Sequence, residues 1–418
     1  MPNAGLFPKP RESRLEQAFS QLSDFVDPNY KGWTRLAFTD EYMRARLWLK
    51  EQMEGAGLDT YVDAAANHIG RLEGDNSALP PLVIGSHIDT VRNGGRFDGT
   101  AGVLAGIEVA RLLQEHQVNL EHSLEIIDFT AEEPTDFGIS TVGSKAIAGN
   151  LTEQMLDLRD PSGRRLAEAI RAAGGSPEEL PAMARRQGDI AGYLELHIEQ
   201  GPMLERTKNE LGVVYGIVGI IRLLLQVTGN ADHSGTTPMD LRRDSLAGAA
   251  QMILALEKLC RRAETSPLVG TAGRILVSPN APNVVAGETK LDVEIRSIDA
   301  NVMERTADMF LSECRRIARK RQLSFQSRRM SYTSPVSVPP DVLEVVRRAC
   351  AEVTDRQIDM VSGAGHDANQ IAGIAPVGMI FVPSVGGKSH CPEELTDIRD
   401  IAKGAAALLR CTAALDSL

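Results

Sequence analysis

Hydrophobic and polar positions follow two periods along this chain, and the switches between them mark out its elements. Residues 12–57 carry a mainly helical pattern, with an amphipathic segment at 42–49 that closes near Gly55 and Gly57. Short apolar runs then alternate with helical stretches. Residues 82–86 predict a strand, and 123–129 the next one. Between them, 103–116 predict a helix with Val103, Leu104, Ile107, Ala110 and Leu113 along one side. Residues 193–197 are a further strand candidate. The alternation predicts an α/β architecture built on a mixed, largely parallel sheet.

From about residue 214 the texture changes. Residues 222–227 predict a strand, 244–261 a helix, 290–298 an alternating strand and 302–321 a long helix. This block, 214–332, predicts an inserted, smaller α/β domain of the α+β sandwich kind. The host domain is then 1–213 together with 333–418. Residues 334–340, rich in proline and serine, predict the linker out of the insert, and 376–382 a buried strand in the returning host.

The bulk numbers sharpen this picture. A chain of 418 residues exceeds one ordinary core, which agrees with two domains. The net charge of −11 argues against nucleic acid or an anionic membrane as partner. The five cysteines (Cys260, Cys314, Cys350, Cys391, Cys411) are dispersed with no CxxC pair, as expected of free thiols in a reducing compartment. The N-terminal MPNAGLFPKPRESRLEQ lacks the apolar core of a signal peptide. The most apolar stretch, 211–227, is interrupted by Arg222 and several glycines, so it reads as buried strands and not as a membrane span. A cytoplasmic protein is expected.

Candidate chemistry gathers after the predicted strands, where ligands collect in such sheets. FTAEEPTDFGIS sets Glu132 beside Glu133 after the second strand. Adjacent like charges repel and are costly to bury unpaired, so a positive partner is required. After the first strand, GSHIDTVRNGGRFDG supplies His87, Asp89 and Asp98. LELHIEQGP supplies His197 and Glu199, and GGKSHCPEE supplies His390. Imidazole and carboxylate together are a ligand set for zinc or manganese, and a metal is the positive partner the glutamates need. Asp89, two residues from His87, shares its face in extended chain and is placed to orient the imidazole from behind; its bland alternative is a turn-capping aspartate. His68, His116 and His122 lack such neighbours and are assigned nothing.

Taken with GSKAIAG, HSGTTPMDLRRD, PNVVAGETKLDVEIRS and SGAGHDA, these segments resemble, in order and over most of the chain, the metal-dependent amidases of the hydantoinase/carbamoylase family. That family sits within the clan of di-metal aminopeptidases and deacylases. The resemblance implies two divalent metals per subunit, with Asp98 bridging, His87 and His197 completing one site, and Glu133 and His390 the other. Zinc or manganese is expected, with cobalt and nickel served by the same donors. It makes Glu132 the general base acting on water, directed away from Glu133 because neighbours in extended chain face opposite ways. His233 is implied as an oxyanion donor that serves the partner of a homodimer, which makes the insert a dimerisation or lid domain. Gln200, Asn283, Arg296, Gly365 and His366 are implied as substrate contacts, with Arg296 clamping a carboxylate. Arg296 also admits the bland reading of a cross-strand ion pair.

The expected reaction is hydrolysis of the terminal C–N bond of an N-carbamoyl-L-amino acid or an allantoate-like ureido acid, with release of ammonia. The alternatives are an aminopeptidase or N-acyl amino-acid deacylase on the same scaffold and, last, a non-catalytic metal-binding dimer. His197 stands where peptidases of the clan carry a carboxylate. Two departures, Ser234 for the family's usual alanine and Lys388 for an apolar residue, leave the ligands intact and bear on the substrate.

Overall fold

The computed structural model describes residues 7–262 and 267–417; the first six residues of the N-terminal stretch read above lie outside them. The chain forms two units. The first comprises Met1–Tyr215, Val338–Met360 and His366–Leu418, and the second Gly216–Ser337 with Val361–Gly365. The hydrophobic pattern places the insert at 214–332; the second unit runs on to Ser337 and takes in Val361–Gly365, a short return with no signal in the pattern.

In chain order the strands are β1 (Asp59–Val62), β2 (His68–Leu72), β3 (Leu82–Ser86), β4 (Leu124–Asp128), β5 (Gly192–Ile198) and β6 (Leu211–Ile217). There follow β7 (Gly219–Thr228), β8 (Leu268–Ser278), β9 (Glu288–Ser297), β10 (Ser324–Thr333), β11 (Val336–Ser337), β12 (Gln357–Ser362) and β13 (Val377–Val382).

In the first unit the strands run in the order β1-β2-β4-β3-β5-β13-β6. The central four, β4-β3-β5-β13, are parallel. The flanks, β1-β2-β4 and β13-β6, are antiparallel, so the expected parallel character holds only in the middle. The four parallel strands are buried along their whole length, which explains their unbroken apolar texture. Ile84, Ile126, Leu196 and Val382 share one core with Val103 and Ile107 of the helix Thr100–Glu115 and with Leu408 of the helix Ile398–Leu415. The helix Asp40–Glu54 contains the predicted amphipathic segment and starts where Thr39 accepts the Tyr42 N–H.

The second unit is a four-stranded antiparallel sheet, order β10-β7-β9-β8, with the helices Ser245–Arg261 and Ala300–Lys320 on one face. Both helices begin where an aspartate, Asp244 or Asp299, accepts a first-turn N–H. The strands alternate: Ile221, Leu223, Leu225, Leu291, Val293 and Ile295 are buried against Met252, Leu256 and Phe310 of the helices. The opposite face carries polar side chains, Arg222, Glu294 and Arg296 among them. In place of a plain linker at 334–340 stand the short β11 and the start of the helix Pro340–Val353. Among the described residues no helix is long and apolar enough to cross a membrane, and all five cysteines are free.

His68, assigned no role, lies on β2, and neither ring nitrogen has a hydrogen-bond partner among the described residues. Burial, then the charges of Arg46 and Lys50, lower its pKa to about 3. The unfolded chain therefore binds a proton near pH 6.5 that the folded chain refuses, and stability falls as pH drops from there towards 3. His68→Leu is expected to relieve about 2 kcal/mol of this loss at pH 5 and none at pH 8, measured by urea unfolding at both. Parallel pH dependences in the two proteins would refute it.

Candidate metal centre

The carboxyl ends of the four parallel strands lie together, and the candidate ligands sit on or after them. Ser86 pairs in register with Asp128, so the chain emerges from β3 as His87 beside the end of β4. His197 lies within β5, opposite Phe381 of β13, inside the 193–197 strand candidate. Asp98 follows His87 in the same loop. Gly99 comes next with φ +66, and a Cβ there would stand 2.3 Å from the His87 ring. Glu132 and Glu133 do not lie on extended chain: β4 ends at Asp128, and Ala131 has φ +53. The turn, and not strand alternation, sends the two glutamates in different directions.

Asp98 is the centre of the arrangement. Its Oδ1 lies 3.7 Å from His87 Nε2 and 3.2 Å from His197 Nε2. Its Oδ2 lies 3.3 Å from His390 Nε2, which is also 3.3 Å from Glu133 Oε1. Two donor sets result, His87–Asp98–His197 and Asp98–Glu133–His390, each with its atoms within 4.8 Å of one another. Glu132 Oε2 stands 3.6 Å from His87 Nε2, beside both sets and belonging to neither. His87 Nδ1 lies 2.9 Å from the Asp89 carbonyl and His197 Nδ1 2.9 Å from the Ile198 carbonyl. In the neutral rings, with the proton on Nδ1, both Nε2 lone pairs face Asp98. This donor set fits two divalent cations that share one carboxylate.

Electrostatics agree. Burial, then Asp367 and Glu133, raise the Glu132 pKa well above the ordinary value. Burial and Asp98 push Glu133 up to about 8. Burial alone would raise Asp98 too, but His197, His390 and His87 outweigh it and hold it well below the usual carboxylate range. Burial works against a charged His197, yet Asp98 lifts it to about 9. The cluster is short of positive charge and draws it in wherever a group can supply it.

A further group of residues holds the ligands in place. The Asp89 carboxylate accepts the backbone N–H of Glu132 at 3.2 Å and of Glu133 at 3.1 Å. Its own carbonyl, and not its carboxylate at 3.7 Å, orients His87. This corrects the role expected for that side chain. Asp128 accepts the Ile88 N–H at 3.0 Å, while Arg35 Nε donates to the Ile88 carbonyl at 2.8 Å. Glu394 accepts the N–H groups of Phe97 at 2.7 Å and Asp98 at 3.0 Å. Ser389 Oγ lies 2.7 Å from Asp98 Oδ2. Glu195 and His366 form a third donor group with His197, but Glu195 is already met by the Tyr193 hydroxyl at 2.8 Å and the Ala368 N–H at 3.3 Å. Sequence reasoning missed Asp128, Glu195, Ser389 and Glu394, although all four lie inside segments it singled out.

Among the expected substrate contacts, Gln200 and His366 lie in the first unit. Gln200 Nε2 is 2.6 Å from Asp98 Oδ2, and the His366 ring packs on His197 at 4.5 Å. His233, Asn283, Arg296 and Gly365 belong to the second unit. His233 is exposed, and its Nδ1 accepts the N–H of Gly235 at 3.0 Å and of Thr236 at 3.2 Å. The ring proton of neutral His233 is therefore on Nε2, which has no hydrogen-bond partner among the described residues. The Ser234 N–H bonds the Asn283 carbonyl at 3.0 Å, tying the two segments together. Arg296 donates Nε to Glu294 at 2.6 Å and Nη1 to the Gly363 carbonyl at 2.7 Å. Lys388 is exposed to solvent.

Comparison with known proteins agrees with this geometry. The family model described as peptidase family M20/M25/M40 matches residues 83–414. The N-carbamoyl-L-amino acid amidohydrolase of Geobacillus stearothermophilus is 40% identical over 94% of this chain and 96% of its own length. The allantoate amidohydrolase of Bacillus subtilis is 35% identical over 90% of this chain and 91% of its own. The solved structure of an amidase of the hydantoinase/carbamoylase family from Burkholderia multivorans superposes with a TM-score of 0.90 at 32% identity, covering 98% of this chain and 99% of that one.

A cation held by these donors stabilises the folded chain by mass action. Free zinc or manganese at one hundred times its dissociation constant is expected to add about 2.7 kcal/mol per site. Thermal unfolding with metal and with chelator reads this directly. Asp98→Ala, which removes the shared ligand, is expected to abolish the metal-induced rise in Tm; an undiminished rise would place the cation elsewhere.

Proposed function

The chain belongs to peptidase family M20/M25/M40, and from that membership we propose that it is a di-metal amidohydrolase cleaving the terminal C–N bond of N-carbamoyl-L-amino acids or allantoate-like ureido acids, with release of ammonia. The observation that carries the reading is the pair of Asp98 oxygens, each turned to its own histidine, with Glu132 alongside. In this reading His87 and His197 hold one cation and Glu133 and His390 the other, while Asp98 serves both. Zinc or manganese suits the donors, and cobalt or nickel would be accepted by them. When bound, such cations polarise the ureido carbonyl and acidify the attacking water.

The protein's own groups then carry the proton. Glu132 takes it from water as the oxygen joins the carbonyl carbon, and delivers it to the terminal nitrogen. The C–N bond breaks, ammonia leaves, and the carbamate of the amino acid remains. The Nε2–H of His233 suits an oxyanion donor. Arg296, its Nε fixed by Glu294 and its Nη1 by the Gly363 carbonyl, presents its remaining N–H donors to the substrate carboxylate. Gln200, Asn283, Gly365 and His366 complete substrate binding. A homodimer, in which His233 serves the second subunit through an inserted dimerisation domain, belongs to the same reading, as does a cytoplasmic location, which the free cysteine thiols support.

The test is ammonia release by zinc- or manganese-loaded protein from N-carbamoyl-L-amino acids and allantoate, with N-acetyl amino acids and dipeptides as contrasts. Glu132→Gln is expected to lower kcat by about 10²- to 10⁴-fold while the protein still binds two metals per chain. Amine release from acyl or peptidyl substrates alone would replace this reading with that of a deacylase or aminopeptidase.

A further inference from the structure

The polar face of the second unit's sheet holds more positive charge than a single carboxylate clamp uses. β7 and β9 pair with Arg222 directly opposite Glu294 and Ile220 opposite Arg296. Arg222 and Arg296 are thus diagonal neighbours on one face, a spacing of about 7–8 Å that long side chains span. Glu294 stands between them. Its Oε2 accepts Arg222 Nε at 2.7 Å and its Oε1 accepts Arg296 Nε at 2.6 Å. Each guanidinium is therefore gripped at Nε, and that of Arg296 also at Nη1 by the Gly363 carbonyl. The Nη groups of Arg222 have no hydrogen-bond partner among the described residues, and its side chain is 51% exposed.

Charge points the same way. One carboxylate between two guanidiniums leaves a positive charge over. Both arginines line one open cavity of about 890 Å³, together with Arg274 and Arg328 and against Asp292 and Glu294. Four cations against two anions give that lining a net charge of +2, in a chain whose total is −11. Arg274 is paired with Asp292 at 2.6 Å, whereas Arg328 has no ion pair among the described residues.

We propose that Arg222 determines specificity: with Arg296 it forms a two-armed anion clamp, spaced by Glu294, that selects ureido acids bearing a second acidic group. Planar guanidinium groups bind carboxylates by two parallel hydrogen bonds, and two of them at fixed spacing discriminate one carboxylate from two. The inference rests on the reading of Arg296 as the substrate's carboxylate clamp.

The test compares kcat/KM for N-carbamoyl-L-aspartate and N-carbamoyl-L-glutamate with that for N-carbamoyl-L-alanine. The native enzyme is expected to favour an acidic substrate. In Arg222→Gln the acidic-to-alanine ratio is expected to fall by about 10- to 100-fold, chiefly through KM, with partial recovery in Arg222→Lys. A native preference for the alanine substrate, or a ratio unmoved by Arg222→Gln, overturns the proposal and leaves the reaction intact. Calorimetric binding of glutarate against butyrate reads the clamp without catalysis. Should no carbamoyl substrate release ammonia, the reaction as read falls. Glutarate binding that is tighter than butyrate and weakened in Arg222→Gln then upholds the clamp, and equal binding overturns it.

Discussion

A carboxylate has two oxygens, and at Asp98 each has its own company: His87 and His197 on one side, His390 and Glu133 on the other. Everything around the centre keeps that division in place. Glu394 pins the peptides on either side of Phe97, Asp89 pins the peptides of both glutamates, and Asp128 with Arg35 pins the two on either side of Ile88. These are buried carboxylates spent on backbone N–H groups, a costly use that makes sense where a few tenths of an ångström decide whether donors converge. The same crowding of acids keeps the centre receptive to cations.

The two units answer different physical demands. Parallel strands buried on both faces leave only their ends for chemistry, and the candidate ligands cluster at the carboxyl ends. The antiparallel sheet buries one face against two helices and keeps the other polar, so its chemistry is spread over a surface as a pattern of guanidinium and carboxylate groups. A converging set of rigid donors suits an ion; a broad charged face suits an extended organic anion.

Much of this was legible in the sequence, and the parts that were not have physical reasons. The central strands announce themselves because burial on both faces forces an apolar run, and β9 because burial on one face forces alternation. The short strands β1, at the sheet edge, and β2, beside it, show neither pattern. The helix Ile398–Leu415, with Ile401, Ala405, Leu408 and Thr412 buried at helical spacing, carries the signal but lies outside the segments singled out. All five candidate metal ligands stood out by residue type and context. Glu195, Asp128 and Glu394 did not, because a carboxylate that accepts backbone N–H groups looks in sequence like any other acid. Strand alternation also gave a wrong reason for the divergence of Glu132 and Glu133: the left-handed turn at Ala131 has no marker in its side chain.

Gly99 carries a consequence in the gene. Its φ of +66 and the His87 ring 2.3 Å from where a Cβ would stand leave no room for any other residue. Every glycine codon reads GGN, so nearly any change in its first two bases installs a side chain there. One base out of the whole coding sequence can thus move a candidate metal ligand while leaving all five candidates themselves encoded. Damage of that kind would pass unseen in any survey that checks only whether the histidines and carboxylates are present.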